Sequence, residues 1–349
     1  MFDLAIRNGM LVTADRVFGG HLYVRNGKIA AISDDGTLPA REELDAAGLY
    51  VLPGMLDCHA HINDPGFTWR EDLPHASEAA AVGGVTTLID MPLQNTPPLT
   101  SADAFANKLA VFEGRSLVDY ALWGGLVTDN TAELAGMDAA GAVGFKAFIA
   151  PVSLGYSSVD MGLAREALFR IKAFGGLAGF HCEDHALICA GEAKAKAGGG
   201  TRRAFLDSRP VVAEVIATAN VIELARETGA RVHICHVSHP RVAELVRRAQ
   251  ADGLSVTGET CPHYLVFTEE NILSCGTVFK CAPPLRTAEA RDGLWEYVLD
   301  GTLSCIGSDH SPSRPDEKDE AVHGVMGAWG GLSGLQSLVQ VMFDQAVTR

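Results

Sequence analysis

Residues 54–66 run Gly54-Met55-Leu56-Asp57-Cys58-His59-Ala60-His61-Ile62-Asn63-Asp64-Pro65-Gly66, and the organisation of the chain follows from them. An apolar run, Tyr50-Val51-Leu52, enters through Pro53. Residues two apart on a β-strand point to the same side. Asp57, His59 and His61 therefore share one face, and Leu56, Cys58 and Ala60 the other. Two imidazoles at i and i+2 at the end of a buried strand present neutral nitrogen donors suited to a transition metal. Two histidines hydrogen-bonded within a core are the competing explanation, and they account less well for a pair on one face of so apolar a strand.

From Val51 onward, short apolar runs alternate with helical patterns, the signature of parallel βα units. Strands are expected near 55–61, 85–91, 120–125, 142–149, 176–182, 231–237, 254–260 and 302–308. That is the number that closes a (β/α)₈ TIM barrel of the α/β class. Helices are expected at 72–82, 101–112, 160–174, 210–228, 240–252, 288–299 and 332–347. Residues 1–50 form a small β domain of sandwich type, and 51–349 the barrel. Asn8-Gly9 and Asn26-Gly27 mark turns between alternating runs, and Gly36 to Leu49 is polar and turn-rich. A barrel ending near Arg349 leaves the small domain with no later strands to pair with, an open sheet edge.

The 349 residues suit a barrel with a modest appendage. The net charge of −15, with no Lys/Arg cluster, repels a phosphate backbone and excludes nucleic acid as a partner. Met1-Phe2-Asp3 is no basic leader, and no apolar run is long enough to span a bilayer, so no membrane partner is expected. Eight cysteines without a Cys-x-x-Cys spacing point to a reducing cytoplasm. Cys58, Cys182 and Cys235 each neighbour a histidine, would face the opposite way on a strand, and are expected to be small core hydrophobes rather than metal ligands.

Barrel active sites lie at the C-terminal ends of the strands. There the sequence offers His59 and His61 on strand 1, Lys146 on strand 4, His181 on strand 5, His236 on strand 6 and Asp309 on strand 8. Lys146, inside Val143-Gly144-Phe145-Lys146-Ala147-Phe148, is costly to bury charged. Burial favours the neutral amine, and a neutral amine can add CO₂ to form a carbamate whose two oxygens bridge two metal ions. An ion pair with a neighbouring acid, Asp309 for one, is the alternative. With four histidines and an aspartate at other strand ends, the carbamate explains more. His233, three residues before His236, is expected to face the other way. His185, His239, His263 and His310 follow strand ends and could orient ligands, although caps and turns are the commoner use.

This pattern resembles the amidohydrolase superfamily, and within it the cyclic amidases: dihydroorotases, allantoinases, hydantoinases and dihydropyrimidinases. Residues 259–270 (ETCPHYLVFTEE), 279–286 (FKCAPPLR), 307–312 (GSDHSP) and 328–336 (AWGGLSGLQ) are similar to that branch in order and spacing. The resemblance implies ring-opening hydrolysis of a cyclic amide at two divalent metals, usually zinc. His59, His61 and Asp309 would hold one metal and His181 and His236 the other. N6-carboxylated Lys146 and a hydroxide would bridge them, with Asp309 as the catalytic acid–base. It also implies a homo-oligomer, dimer or tetramer. Some relatives have lost their ligands and act as non-catalytic scaffolds; the six filled positions here argue against that. Family members generally continue past the last barrel helix to complete the small sheet domain, so its C-terminal half is expected to be missing from this chain.

Dihydroorotases carry an arginine two residues after His-x-His, where this chain has Asn63, and an amide does not replace a bidentate guanidinium. Hydantoinases and dihydropyrimidinases carry a tyrosine five residues after the lysine, where this chain has Pro151; Tyr156 lies further on, at the wrong spacing. His61-Ile62-Asn63-Asp64-Pro65-Gly66 looks like the HxHxNxPG pattern of allantoinases, and Asp90-Met91-Pro92-Leu93 and Ala328-Trp329-Gly330-Gly331 are similar to theirs. The implied reaction is allantoin to allantoate, with a hydantoinase or dihydropyrimidinase next and a dihydroorotase last. Asn63, Gln94 and Asn95 are the candidate contacts to the neutral, ureido-bearing ring. For Gln94 and Asn95, turn chemistry beside Pro97-Pro98 has an equal claim.

Overall fold

The computed structural model describes residues 1–152 and 155–348. They fall into two compact units, Met1–Met55 and Leu56–Arg349.

The first unit is one sheet. Its strands are β1 (Phe2–Val12), β2 (Val17–Arg25), β3 (Lys28–Ser33), β4 (Ala40–Asp45) and β5 (Tyr50–Val51). The order is β3-β2-β1-β4, with β5 also pairing β1. Asn26 and Gly27 join β2 to β3 with φ of 54° and 70°, and Arg25 lies opposite Lys28. Both central residues of such a two-residue turn need positive φ, which asparagine and glycine tolerate. Asn8-Gly9 is not the expected turn. It lies inside β1, where the register against β2 shifts between Ile6 and Gly9 and Asn8 has φ 60°, a β-bulge. The polar stretch after Gly36 holds β4, which pairs parallel to β1. Five of the six β4 residues are exposed, so no apolar alternation announces the strand.

The second unit carries parallel strands: β6 (Met55–Ala60, beginning at the boundary), β7 (Val85–Asp90), β8 (Asp119–Leu122), β9 (Gly124–Gly125), β10 (Phe145–Phe148), β11 (Leu177–His181), β12 (Arg231–Ile234), β13 (Val256–Thr260) and β14 (Cys305–Ile306). One sheet runs β6-β7-β8 and the other β9 through β14 in order. Only Trp123 separates β8 from β9, and its N–H donates to the Asp90 carbonyl at 2.9 Å. At the far edge Ala60 bridges His310 in parallel, and the His61 N–H donates to the His310 carbonyl at 2.8 Å. The parallel strands thus meet at both edges.

Helices 73–83, 102–112, 161–173, 211–228, 240–251 and 288–299 fall between strands, within two residues of the expected bounds. Helices 185–197 and 202–208 were not expected. The first buries only Ile188 and Ala195, so its apolar periodicity is too weak to read. The last helix begins at Leu338 rather than 332, after the glycines at 330, 331 and 334. Among the described residues, no helix is long and apolar enough to cross a membrane. Side chains such as Leu88, Phe145, Phe180, Val232 and Ile234 form the core between strands and helices. It holds the strand ends in place.

Candidate active site

His59 is the penultimate residue of β6 and His61 follows the strand; their Nε2 atoms lie 3.2 and 3.1 Å from Asp309 Oδ1. The His59 ring centroid is 5.3 Å from that of His61 and 5.4 Å from that of His236, and His181 and His236 are 4.6 Å apart. Lys146 sits on β10, a strand buried from end to end. Its Nζ has no hydrogen-bond partner among the described residues, so the alternative ion pair with Asp309 is not formed. His59, His61, Lys146, His181, His236 and Asp309 line one cavity of about 530 Å³, together with Gln94, Phe148, Arg209, Ser311 and Trp329.

Two buried carboxylates that the sequence did not single out hold the imidazoles. Glu259, on β13, accepts a short hydrogen bond from His59 Nδ1 and one from the His236 N–H at 3.2 Å. Burial works to raise its pKa, but His59 and His233 hold the carboxyl well below the usual carboxylate range. Glu183 meets His181 Nε2 at 2.7 Å and Arg209 Nη1 at 3.3 Å. Burial opposes its ionisation too, yet Arg209 and His181 bring it to about 2. A hydrogen bond at one ring nitrogen leaves the other free for a metal. His59 thus presents Nε2, and His181 presents Nδ1.

Burial lowers His61 to about 4, lowers His181, and holds His236 well below 6.5, so these imidazoles are neutral donors. Asp309 is pushed up by burial but pulled much further down by His59, His61 and His236. His236 and Asp309 adopt φ of 38° and 46°, just past the ends of β12 and β14, and Gln94 has φ 65°. Non-glycine residues in this region cost about 1–3 kcal/mol each and gather where function requires them.

The donor set fits a divalent transition metal. Ligand atoms of His59, His61 and Asp309 all lie within 4.8 Å of one another. Among the described residues, Lys146 Nζ, His61 Nδ1 and His236 Nδ1 are buried polar atoms without hydrogen-bond partners. Imidazole and carboxylate together suit zinc and its neighbours in the first transition row.

The three candidate substrate contacts separate. Gln94 lines the cavity, its Nε2 donating to Ser311 Oγ at 3.0 Å. Asn95 is spent on its own loop: its Nδ2 donates to the Leu93 carbonyl at 3.1 Å, and its Oδ1 accepts from Lys108. Asn63 is fully buried and is not among the residues lining the cavity. Tyr156 is no free donor either, since its hydroxyl donates to the Lys146 carbonyl at 2.5 Å.

His233 does not face away as the alternation predicted. Its Nε2 lies 3.5 Å from Glu259 Oε2. The count of residues to His236 misleads because β12 ends at Ile234 and the left-handed turn at His236 breaks the alternation. Of the histidines past strand ends, His310 bonds Glu71 at 2.7 Å and His239 caps helix 240–251.

The model of the family described as dihydro-orotase-like matches residues 48–241. The chain is 39% identical over 355 residues to the allantoinase of Escherichia coli (strain K12), a match spanning 100% of this chain and 77% of that protein. The chain belongs to the dihydro-orotase-like family. An allantoinase from Deinococcus radiodurans is 38% identical over 316 residues, 90% of this chain and 70% of that protein. Among solved structures, the L-hydantoinase (dihydropyrimidinase) from Arthrobacter aurescens superposes with a TM-score of 0.96 at 37% identity, covering 100% of this chain and 78% of that one. As a member of the dihydro-orotase-like family, the chain is a cyclic amidohydrolase, and metal dependence is typical of such enzymes.

Proposed function

We propose that this chain hydrolyses allantoin to allantoate at a two-metal centre. The observation that carries the proposal is the convergence of His59, His61, Lys146, His181, His236 and Asp309 on one cavity. His59, His61 and Asp309 would hold one ion and His181 and His236 the other, with a carboxylated Lys146 between them. Zinc suits these donors, as do manganese, cobalt and iron. When bound, the metals supply Lewis acidity to the amide carbonyl and lower the pKa of a water.

Asp309 moves the proton. Its Oδ2, the oxygen not engaged by His59 and His61, accepts a proton from the attacking water and returns it to the departing ring nitrogen. Glu259 and Glu183 keep the imidazoles in one tautomer throughout. Gln94, pinned by Ser311, offers an amide to the ring, with a donor and an acceptor for a neutral ligand. Phe148, stacked on His181 at 4.9 Å, contributes an apolar wall to the cavity.

The two allantoinase relatives support allantoin as substrate, as does Pro151 at the cavity wall, which offers no hydroxyl. Ring opening of 5-substituted hydantoins is the second reading, favoured by the likeness to L-hydantoinase. Protein loaded with metal should be offered allantoin, 5-substituted hydantoins, dihydrouracil and dihydroorotate. Allantoin should turn over fastest. Turnover of hydantoins or dihydrouracil with none of allantoin would exclude the proposed substrate and leave the metal chemistry standing.

Three further readings belong to the same proposal. Free cysteines throughout the chain support a reducing cytoplasm. A dimer or tetramer rests on the family resemblance. The sheet of β1–β5 is read as one layer of a sandwich, because Ile29 and Ile32 on β3 and Leu44 on β4 remain exposed.

A further inference from the structure

We propose that Cys58, Cys305 and Glu259, with His233 beside the carboxylate, form an additional metal site, taking a thiophilic divalent cation of the zinc class, distinct from the strand-end cluster. Cys58 Sγ lies 3.1 Å from Glu259 Oε2. Sulfur atoms of Cys58 and Cys305 and a carboxylate oxygen of Glu259 all fall within 4.8 Å of one another. His233 Nε2 approaches the same Oε2 at 3.5 Å, while its Nδ1 is held by Thr257 Oγ1 at 2.8 Å.

The backbone builds this group. Cys305 on β14 pairs in register with Glu259 on β13, so the two side chains project to one side. Cys58 arrives from β6. A Cβ at Gly307 would lie 3.1 Å from Glu259 Oε2 and 3.2 Å from Cys58 Sγ. The same Cβ would lie 2.7 Å from His59 Cβ, so glycine at 307 keeps the side chains of His59, Glu259 and Cys58 packed closely against the end of β14. The buried histidine is oriented by its second ring nitrogen, as metal-binding imidazoles usually are. Both cysteines are partly exposed, so an ion can reach them.

Two sulfurs and one carboxylate oxygen make a soft donor set that favours zinc or cadmium over magnesium or calcium. Binding displaces the two thiol protons, and the cation balances the two thiolates beside Glu259. Glu259 would then serve two ions through different oxygens, with Oε1 orienting His59 and Oε2 facing the thiols.

The test uses the full-length protein with its main centre already filled by zinc. Cadmium is added, and the ultraviolet thiolate-to-cadmium charge-transfer absorption is recorded as a difference spectrum, a signal that imidazoles and carboxylates do not produce. Wild type should develop the band, and elemental analysis should find one more ion per chain than in Cys58→Ser/Cys305→Ser. The double variant should lose the band, Cys305→Ser alone should roughly halve it, and Cys235→Ser and Cys261→Ser, which alter the other buried thiols near histidines, should keep it. Should the double variant misfold, the single variants still decide. No band in wild type, or a band undiminished in Cys305→Ser and abolished in Cys235→Ser or Cys261→Ser, would overturn the assignment.

Discussion

Glu183 Oε2 lies 2.7 Å from His181 Nε2, two residues apart on the chain and both buried. The contact leaves Nδ1 as the free nitrogen of His181, and Arg209 Nη1, 3.3 Å from the same Oε2, keeps the carboxylate ionised. Glu183→Gln preserves shape but removes the charge that fixes the tautomer. Metal affinity and activity should each fall by about 10–100-fold, measured by metal competition with a chelator and by initial rates. An unchanged metal affinity would show that Glu183 has only a structural part.

Lys146 offers a second test. Its amine is fully buried and has no hydrogen-bond partner among the described residues, an expensive arrangement unless the group is converted into something else. Lys146→Ala should lower kcat/KM by about 10³-fold or more, several kcal/mol of lost transition-state stabilisation. Wild type reconstituted with metal in CO₂-depleted buffer should be poorly active and recover when bicarbonate is added. Full activity without CO₂ would rule out the carbamate.

Gln94 separates binding from chemistry. The shorter amide of Gln94→Asn tolerates the same left-handed backbone, so the loop should keep its shape. Loss of one neutral hydrogen bond is worth about 1 kcal/mol. KM for allantoin should therefore rise by about 5–10-fold with kcat nearly unchanged. A fall in kcat at constant KM would move Gln94 from substrate binding into the chemical step.

The pH dependence of stability can be followed at His239, the N-cap of helix 240–251, whose Nδ1 accepts the Arg241 N–H at 3.1 Å. Burial, then Arg286 and Arg241, lower it from 6.5 to about 4. As pH falls, the unfolded chain takes up this proton before the folded one does. The contribution of His239 is thus whole above pH 6.5 and lost as pH falls to about 4. Asparagine caps without titrating. His239→Asn should flatten the loss of stability across that window by on the order of 1 kcal/mol, after allowance for solvent screening, read from urea midpoints at each pH.

The strand ends could be read in advance because the barrel imposes a strict geometry. A short apolar run ending in a polar residue has few places to go in a parallel α/β fold. His59, His61, Lys146, His181, His236 and Asp309 therefore appear in the sequence as six interruptions of hydrophobic strands. The orienting carboxylates were harder to see. Glu259 and Glu183 stand beside Thr260 and Asp184 in segments where an acid is unremarkable. Their meaning lies in what they touch from other strands.

Local pattern likewise failed wherever the backbone left its regular path. Alternation placed His233 away from the site, but the positive φ at His236 shifts the count. Asn8-Gly9 reads as a turn, yet within β1 it serves as a bulge. Asn63, Gln94 and Asn95 are chemically similar, yet of the three only Gln94 lines the cavity.

Residue order along this chain carries its periodicities, its strand ends and its metal-loving side chains, since these depend on neighbours a few positions apart. Distances across the barrel are of another kind. That Asp309 meets His59 and His61, that Lys146 pairs with no acid among the described residues, and that Cys58 comes to lie beside Glu259 all depend on residues up to 250 positions apart being packed together. Such contacts arise from closure and burial of the whole core, which no short stretch of sequence encodes.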